Sequence, residues 1–111
     1  MISAKLDDMV GGWFVGNFQP AILNSKFCEV AVKKYNAGAK EPVHYHAIAT
    51  EVTLILSGCV DINGIIYRDG DIVMLNPGEV ASFSAITDVV TVVVKTPSVI
   101  HDKYLVEEEE L

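Results

Sequence analysis

Between residues 51 and 75 the chain runs through four apolar or β-branched stretches with almost nothing between them: EVTLILS, CVDI, IIYR and DIVML. The gaps are Gly58, Asn63-Gly64 and Asp69-Gly70. Each stretch is too short for a helix. An Asn-Gly pair suits a two-residue type I′ hairpin turn, because both residues tolerate positive φ. Such a run can settle only as successive strands. The same reading predicts strands over 13–18, 27–35, 43–46, 80–84 and 89–95, a last short one over 103–106, and a turn at Asn76-Pro77-Gly78. No segment of ten or more residues keeps an apolar stripe at helical spacing, so no long helix is expected. Many short strands at even spacing predict an all-β sandwich or barrel. The 111 residues suit one domain over 1–106 with an acidic tail over 107–111.

Charge narrows the partners. The formal net charge is −7, of which Glu107–Glu110 supply four, leaving 7 − 4 = 3 negatives on the body. The chain has no Lys/Arg cluster to neutralise phosphates, so no nucleic-acid partner is expected. No apolar stretch approaches the roughly 20 residues of a membrane span. The opening MISAKLDDMVGG lacks the basic-then-apolar profile of a signal peptide. A cytoplasmic protein with no membrane partner is the expectation, with Cys28 and Cys59 reduced and acting as small hydrophobes. Along 51–57, Glu51, Thr53, Ile55 and Ser57 point one way and Val52, Leu54 and Leu56 the other. Both faces then need cover, from the N-terminal Trp13, Phe14 and Phe18 or from a second subunit, so a homodimer is expected.

Two of the three histidines, His44 and His46, stand one residue apart on a predicted strand. Residues i and i+2 project from one face, with Cα atoms about 6–7 Å apart. Four residues later comes Glu51. That spacing suits a tight reversal between antiparallel strands, which would set Glu51 opposite His46 with Cβ atoms about 4.5–5.5 Å apart. Two imidazoles and a carboxylate would then converge on a divalent transition metal at roughly 2.0–2.2 Å, leaving open positions for a ligand. Without metal, the same groups would hydrogen-bond to each other inside a polar cavity.

The string Gly38, five residues, His44-x-His46, four residues, Glu51, six residues, Gly58 resembles the first signature motif of the cupin superfamily position by position. The resemblance runs from about Gly38 to Phe83. It implies a small antiparallel jelly-roll β-barrel, commonly dimeric, with a metal such as iron, manganese, nickel or zinc in its mouth. It also implies His44, His46 and Glu51 as metal ligands. The second cupin motif is only partly kept. Gly70-Asp71 opens it and Gly78 closes its turn, but Asn76 stands in place of the proline and Ala81 in place of the fourth ligand, normally histidine. Ala85 replaces the asparagine that often follows.

This reading leads to a small metalloprotein acting on a small molecule, with dioxygenase, isomerase and lyase chemistry all open. The alternative is a barrel that binds a sugar or metabolite without metal or turnover. Phe83 and Thr53 are expected to line the substrate pocket: Phe83 shares a strand face with Ala81, and Thr53 follows Glu51 by two. Tyr45 should face away from the histidines. Tyr35 and Lys95, at strand ends, are expected in solvent, and His101 on the surface. Ser82 and Ser84 have no base partner, so a serine nucleophile has no support.

Overall fold

The computed structural model describes residues 1–107; the rest of the acidic tail, predicted from 107 on, lies outside the described residues. Two short 3₁₀ turns, Leu6–Asp8 and Val10–Gly12, precede the strands β1 (Trp13–Gly16), β2 (Leu23–Asn24), β3 (Glu29–Tyr35), β4 (Lys40–His46), β5 (Thr50–Ser57), β6 (Cys59–Ile62), β7 (Ile65–Arg68), β8 (Ile72–Leu75), β9 (Ala81–Ala85), β10 (Val89–Thr96) and β11 (Lys103–Leu105). They form two sheets, one in the order β2-β1-β3-β10-β5-β8 and one in the order β11-β4-β9-β6-β7. The expected barrel is thus a jelly roll of two separately hydrogen-bonded sheets, not one sheet closed on itself. β6 and β7 have the bounds read from sequence. The Asn63-Gly64 turn between them has the positive φ values of 53° and 82° that a type I′ turn demands.

Alternation within the strands builds the core. Ile55, Val60, Ile62, Ala85 and Val89 are buried and pack together, with Tyr35, Tyr67, Val73 and Phe83 against them. Ile55 comes from β5 and Val89 from β10, whereas Val60, Ile62 and Ala85 come from the other sheet. Burying such a side chain contributes about 1.5–3 kcal/mol each. The predicted two-sided character of β5 is present: Thr53 and Ile55 are buried, while Leu56 on the outer face remains 55 % exposed.

Gly58 fixes the bend between β5 and β6. Its φ is +104°, and a Cβ there would lie 2.3 Å from the Asp88 carbonyl oxygen. At Gly70 the φ is +88° but nothing lies within 4 Å of the same position. Gly70→Ala is therefore expected to cost about 1–2 kcal/mol for its backbone alone. Gly58→Ala should cost about 3 kcal/mol or more, because the clash adds to the strain. Urea denaturation of both variants checks this, and equal costs would contradict it.

Candidate metal centre

His44 and His46 point inward from β4 and are 6 % and 7 % exposed. Glu51 points inward from β5, which belongs to the opposite sheet. The sequence expectation of a β4–β5 reversal with Glu51 paired beside His46 is therefore corrected. The three residues do converge, but across the interior, because Ala47–Ala49 carry the chain from one sheet to the other. One ligand atom from each of the three lies within 4.8 Å of the others.

What steers that crossover is Asp102, a residue sequence reasoning missed. Its carboxylate accepts hydrogen bonds from the backbone N–H groups of Ala47 (3.0 Å), Ile48 (3.1 Å to each oxygen) and Ala49 (2.8 Å). It is 5 % exposed. Its backbone carbonyl accepts a hydrogen bond from His46 Nδ1 at 3.0 Å. The Pro42 carbonyl does the same for His44 Nδ1 at 2.8 Å. Carbonyls only accept, so both rings carry their proton on Nδ1 and, when neutral, present a bare Nε2 to the cavity.

The electrostatics follow from these tautomers. Burial lowers the pKa of His44, which keeps it neutral at pH 7. Burial works against ionisation of Glu51, but His46, then Lys95 and His44, outweigh it, and its pKa falls below the ordinary carboxylate value. Glu51 Oε2 stands 3.3 Å from His46 Nε2. It has no hydrogen-bond partner among the described residues although it is buried. With His46 neutral, its Nε2 lone pair faces that anion, and either a proton on Nε2, making an ion pair, or a metal ion shared between the two relieves the repulsion. The donor set of two imidazoles and one carboxylate, each imidazole oriented through its other nitrogen by a carbonyl, fits a divalent transition ion.

A cavity of about 130 Å³ opens beside these groups, and Thr53 and Phe83 are among its lining residues. So are Tyr35 and Lys95, against the expectation that they face solvent. Lys95 lies in a row across the inner sheet face, opposite Glu29 on β3 and Glu51 on β5, and its Nζ is 3.2 Å from Glu29 Oε2. Tyr35 packs on Phe83 with ring centroids 4.6 Å apart. Its hydroxyl donates to Glu41 Oε1, which also accepts from Lys33 Nζ at 3.2 Å. Burial and then the Glu41 charge raise the Tyr35 pKa far above its ordinary value, so the phenol stays neutral. Burial pushes Glu41 upward, but Lys33 and the Tyr35 hydroxyl hold it below the usual carboxylate range.

Glu41 reaches the cavity because β4 carries an irregularity. Glu41 pairs with Phe83 and His44 with Ala81, so three steps on β4 match two on β9. The extra residue at Pro42-Val43 brings residues three apart to one face, as a bulge does. Proline, with no N–H to give the ladder, suits that place. Trp13 closes the cavity edge, with Lys33 Nζ and Lys95 Nζ 5.7 and 4.8 Å from its ring. Ala81 is the register partner of His44 and brings no donor there. Tyr45 faces outward and stacks on Tyr104 at 5.2 Å, and His101 is exposed.

No family model matches the sequence, and no curated protein matches it. Solved structures do match. A protein with a double-stranded β-helix domain from Klebsiella pneumoniae superposes with a TM-score of 0.68 at 23 % identity, over 78 % of this chain and 81 % of that one. A cupin protein from Bacteroides fragilis gives 0.57 at 27 % identity, over 70 % and 72 %. A DMSP lyase from Ruegeria pomeroyi gives 0.70 at 19 % identity, over 84 % and 49 %. The fold is the double-stranded β-helix of these proteins.

Proposed function

We propose that this cupin is a small metalloprotein in which His44, His46 and Glu51 hold a divalent transition ion and the adjoining cavity receives a small molecule. The observation carrying this reading is the convergence of His44, His46 and Glu51 to within 4.8 Å across the interior, with the buried Glu51 Oε2 3.3 Å from His46 Nε2 and without another partner among the described residues. When bound, the ion supplies Lewis-acid or oxygen-binding chemistry. The chain's own part is to orient and exclude. The Asp102 and Pro42 carbonyls fix the tautomers of His46 and His44. Phe83 gives an apolar wall, and Thr53 a hydroxyl, to the bound molecule. Tyr35 stays a neutral phenol with its hydroxyl hydrogen engaged by Glu41, and so shapes the cavity wall. Proteins of this fold include a DMSP lyase, a sugar phosphate isomerase and an oxalate decarboxylase, and the reaction class here stays open among lyase, isomerase and dioxygenase.

The test is metal affinity. Protein purified without chelator is expected to carry near-stoichiometric iron, manganese, nickel or zinc by elemental analysis. Glu51→Gln, which keeps the shape and removes the anion, should weaken zinc binding at least tenfold in equilibrium dialysis. A wild-type chain that takes up no transition metal refutes the reading.

Ala81 beside His44 favours a second reading, in which the cavity binds a sugar or other metabolite without metal. Ligand affinity undiminished after metal is stripped would select it. In either reading we place the protein in the cytoplasm as a homodimer. The support for the dimer is the exposed apolar outer face of β5 and β8, where Leu56, Ile72 and Met74 are each more than half exposed. No helix among the described residues is long and apolar enough to cross a membrane.

A further inference from the structure

Thr91 is 1 % exposed, and its hydroxyl oxygen has no hydrogen-bond partner among the described residues. A buried hydroxyl normally finds one. Thr91 lines the same cavity as the His44–His46–Glu51 group. The β10–β3 register sets it directly opposite Lys33, and opposed residues on one sheet face have Cβ atoms about 4.5–5.5 Å apart. An ammonium has three donors, and among the described residues the only hydrogen bond Lys33 Nζ makes is to Glu41. The cavity wall thus offers a free hydroxyl beside an incompletely used cation.

The charge count points the same way. Lys33, Lys95 and Lys103 line the cavity, against Glu41 and Glu51. Glu29, paired with Lys95 just beyond the lining, brings the sum to three positive and three negative. A divalent ion on His44, His46 and Glu51 would add two positive charges to an enclosed space, which an anion offsets. The cavity volume is about 130 Å³. That suits a molecule of a few non-hydrogen atoms and is smaller than typical drug-sized pockets.

We propose that the cavity takes a short-chain carboxylate, with its carboxylate group between Thr91 Oγ1 and Lys33 Nζ and its remaining atoms directed toward His44, His46 and Glu51. The charge balance rests on the proposed metal; the register pairing of Thr91 with Lys33 does not. Both donors suit a carboxylate oxygen, and charge-assisted bonds of this kind are the stronger class. An uncharged ligand of the same shape accepts fewer of them and leaves the excess charge in place.

Pyruvate and its uncharged analogue pyruvamide test this by NMR titration of the full chain, both zinc-loaded and EDTA-treated. The zinc-loaded wild type is expected to bind pyruvate at least tenfold more tightly than pyruvamide. Thr91→Val, nearly isosteric, should weaken pyruvate about tenfold and leave zinc affinity unchanged, and Thr91→Ser should recover most of the loss. Lys33→Met should weaken pyruvate by at least as much. Equal pyruvate affinity in wild type and Thr91→Val overturns the proposal, as when that hydroxyl holds only an ordered water. Equal affinity for pyruvate and pyruvamide overturns it too. If the wild type takes up no zinc, the metalloprotein reading falls. The comparison of Thr91→Val with wild type in EDTA-treated protein still decides the carboxylate contact.

Discussion

Replacing Asp102 with alanine is expected to destabilise the fold by about 3 kcal/mol or more and to weaken metal binding with it. One carboxylate accepts from three successive backbone N–H groups, and the Ala49 bond is fully buried. Hydrogen bonds to a charged group contribute about 1.5–3 kcal/mol each, and a buried donor left without a partner adds its own desolvation cost. The three bonds serve one turn, so their loss will not sum. Asp102→Asn keeps the shape and one acceptor oxygen and should lose about half as much. Urea denaturation of both variants measures the difference. A cost within 0.5 kcal/mol for Asp102→Ala, a bound typical of surface substitutions, would show that the crossover holds itself. The His46 contact comes from the Asp102 main chain, so it survives in the variant only as far as residues 101–103 keep their path. Zinc affinity should therefore fall more in Asp102→Ala than in Asp102→Asn.

The largest effect is expected from His44→Ala combined with His46→Ala. Both imidazoles would contribute a lone pair at Nε2, and no other nitrogen lining the cavity offers one, since Lys33, Lys95 and Lys103 are cations, while the Glu41 carboxylate is already engaged by Lys33 and Tyr35. Removing two of three donors should lower zinc affinity by 1,000-fold or more, given that losing even an outer hydrogen-bond partner of a ligand typically costs 10–100-fold. Stability is the control. The two side chains line a cavity and lie outside the apolar cluster around Ile55 and Val60. The double variant should keep its circular dichroism spectrum and a cooperative unfolding transition. Retained near-stoichiometric metal in the double variant would place the metal elsewhere on the chain.

The strand pattern was legible because turn residues carry it locally. Asn63-Gly64 forces its own geometry, and β6 and β7 end where that dipeptide says they must. The histidine pair was legible for the same reason, since its shared face depends on two-residue alternation alone. Other features depend on distant chain or on broken alternation. Glu41 was hidden by the irregularity at Pro42-Val43, which changes which residues share a face. Tyr35 and Lys95 sit at strand ends, where the exposure of neighbours gives no phase. Asp102 is 56 positions from His46 and lies between strands, so no periodicity marks it. The pairing of β4 with β5 failed because a four-residue gap fits both a hairpin and a step between sheets. The choice was made by the Asp102 carboxylate.

That step between sheets has a mechanical consequence. The imidazoles ride on one layer of the sandwich and the carboxylate on the other, so whatever they hold in common acts as a rivet between layers. Prying the layers apart would first require its release. Amide hydrogen exchange in the inner strands of both layers should then slow together as the rivet is supplied, even in strands that never touch it.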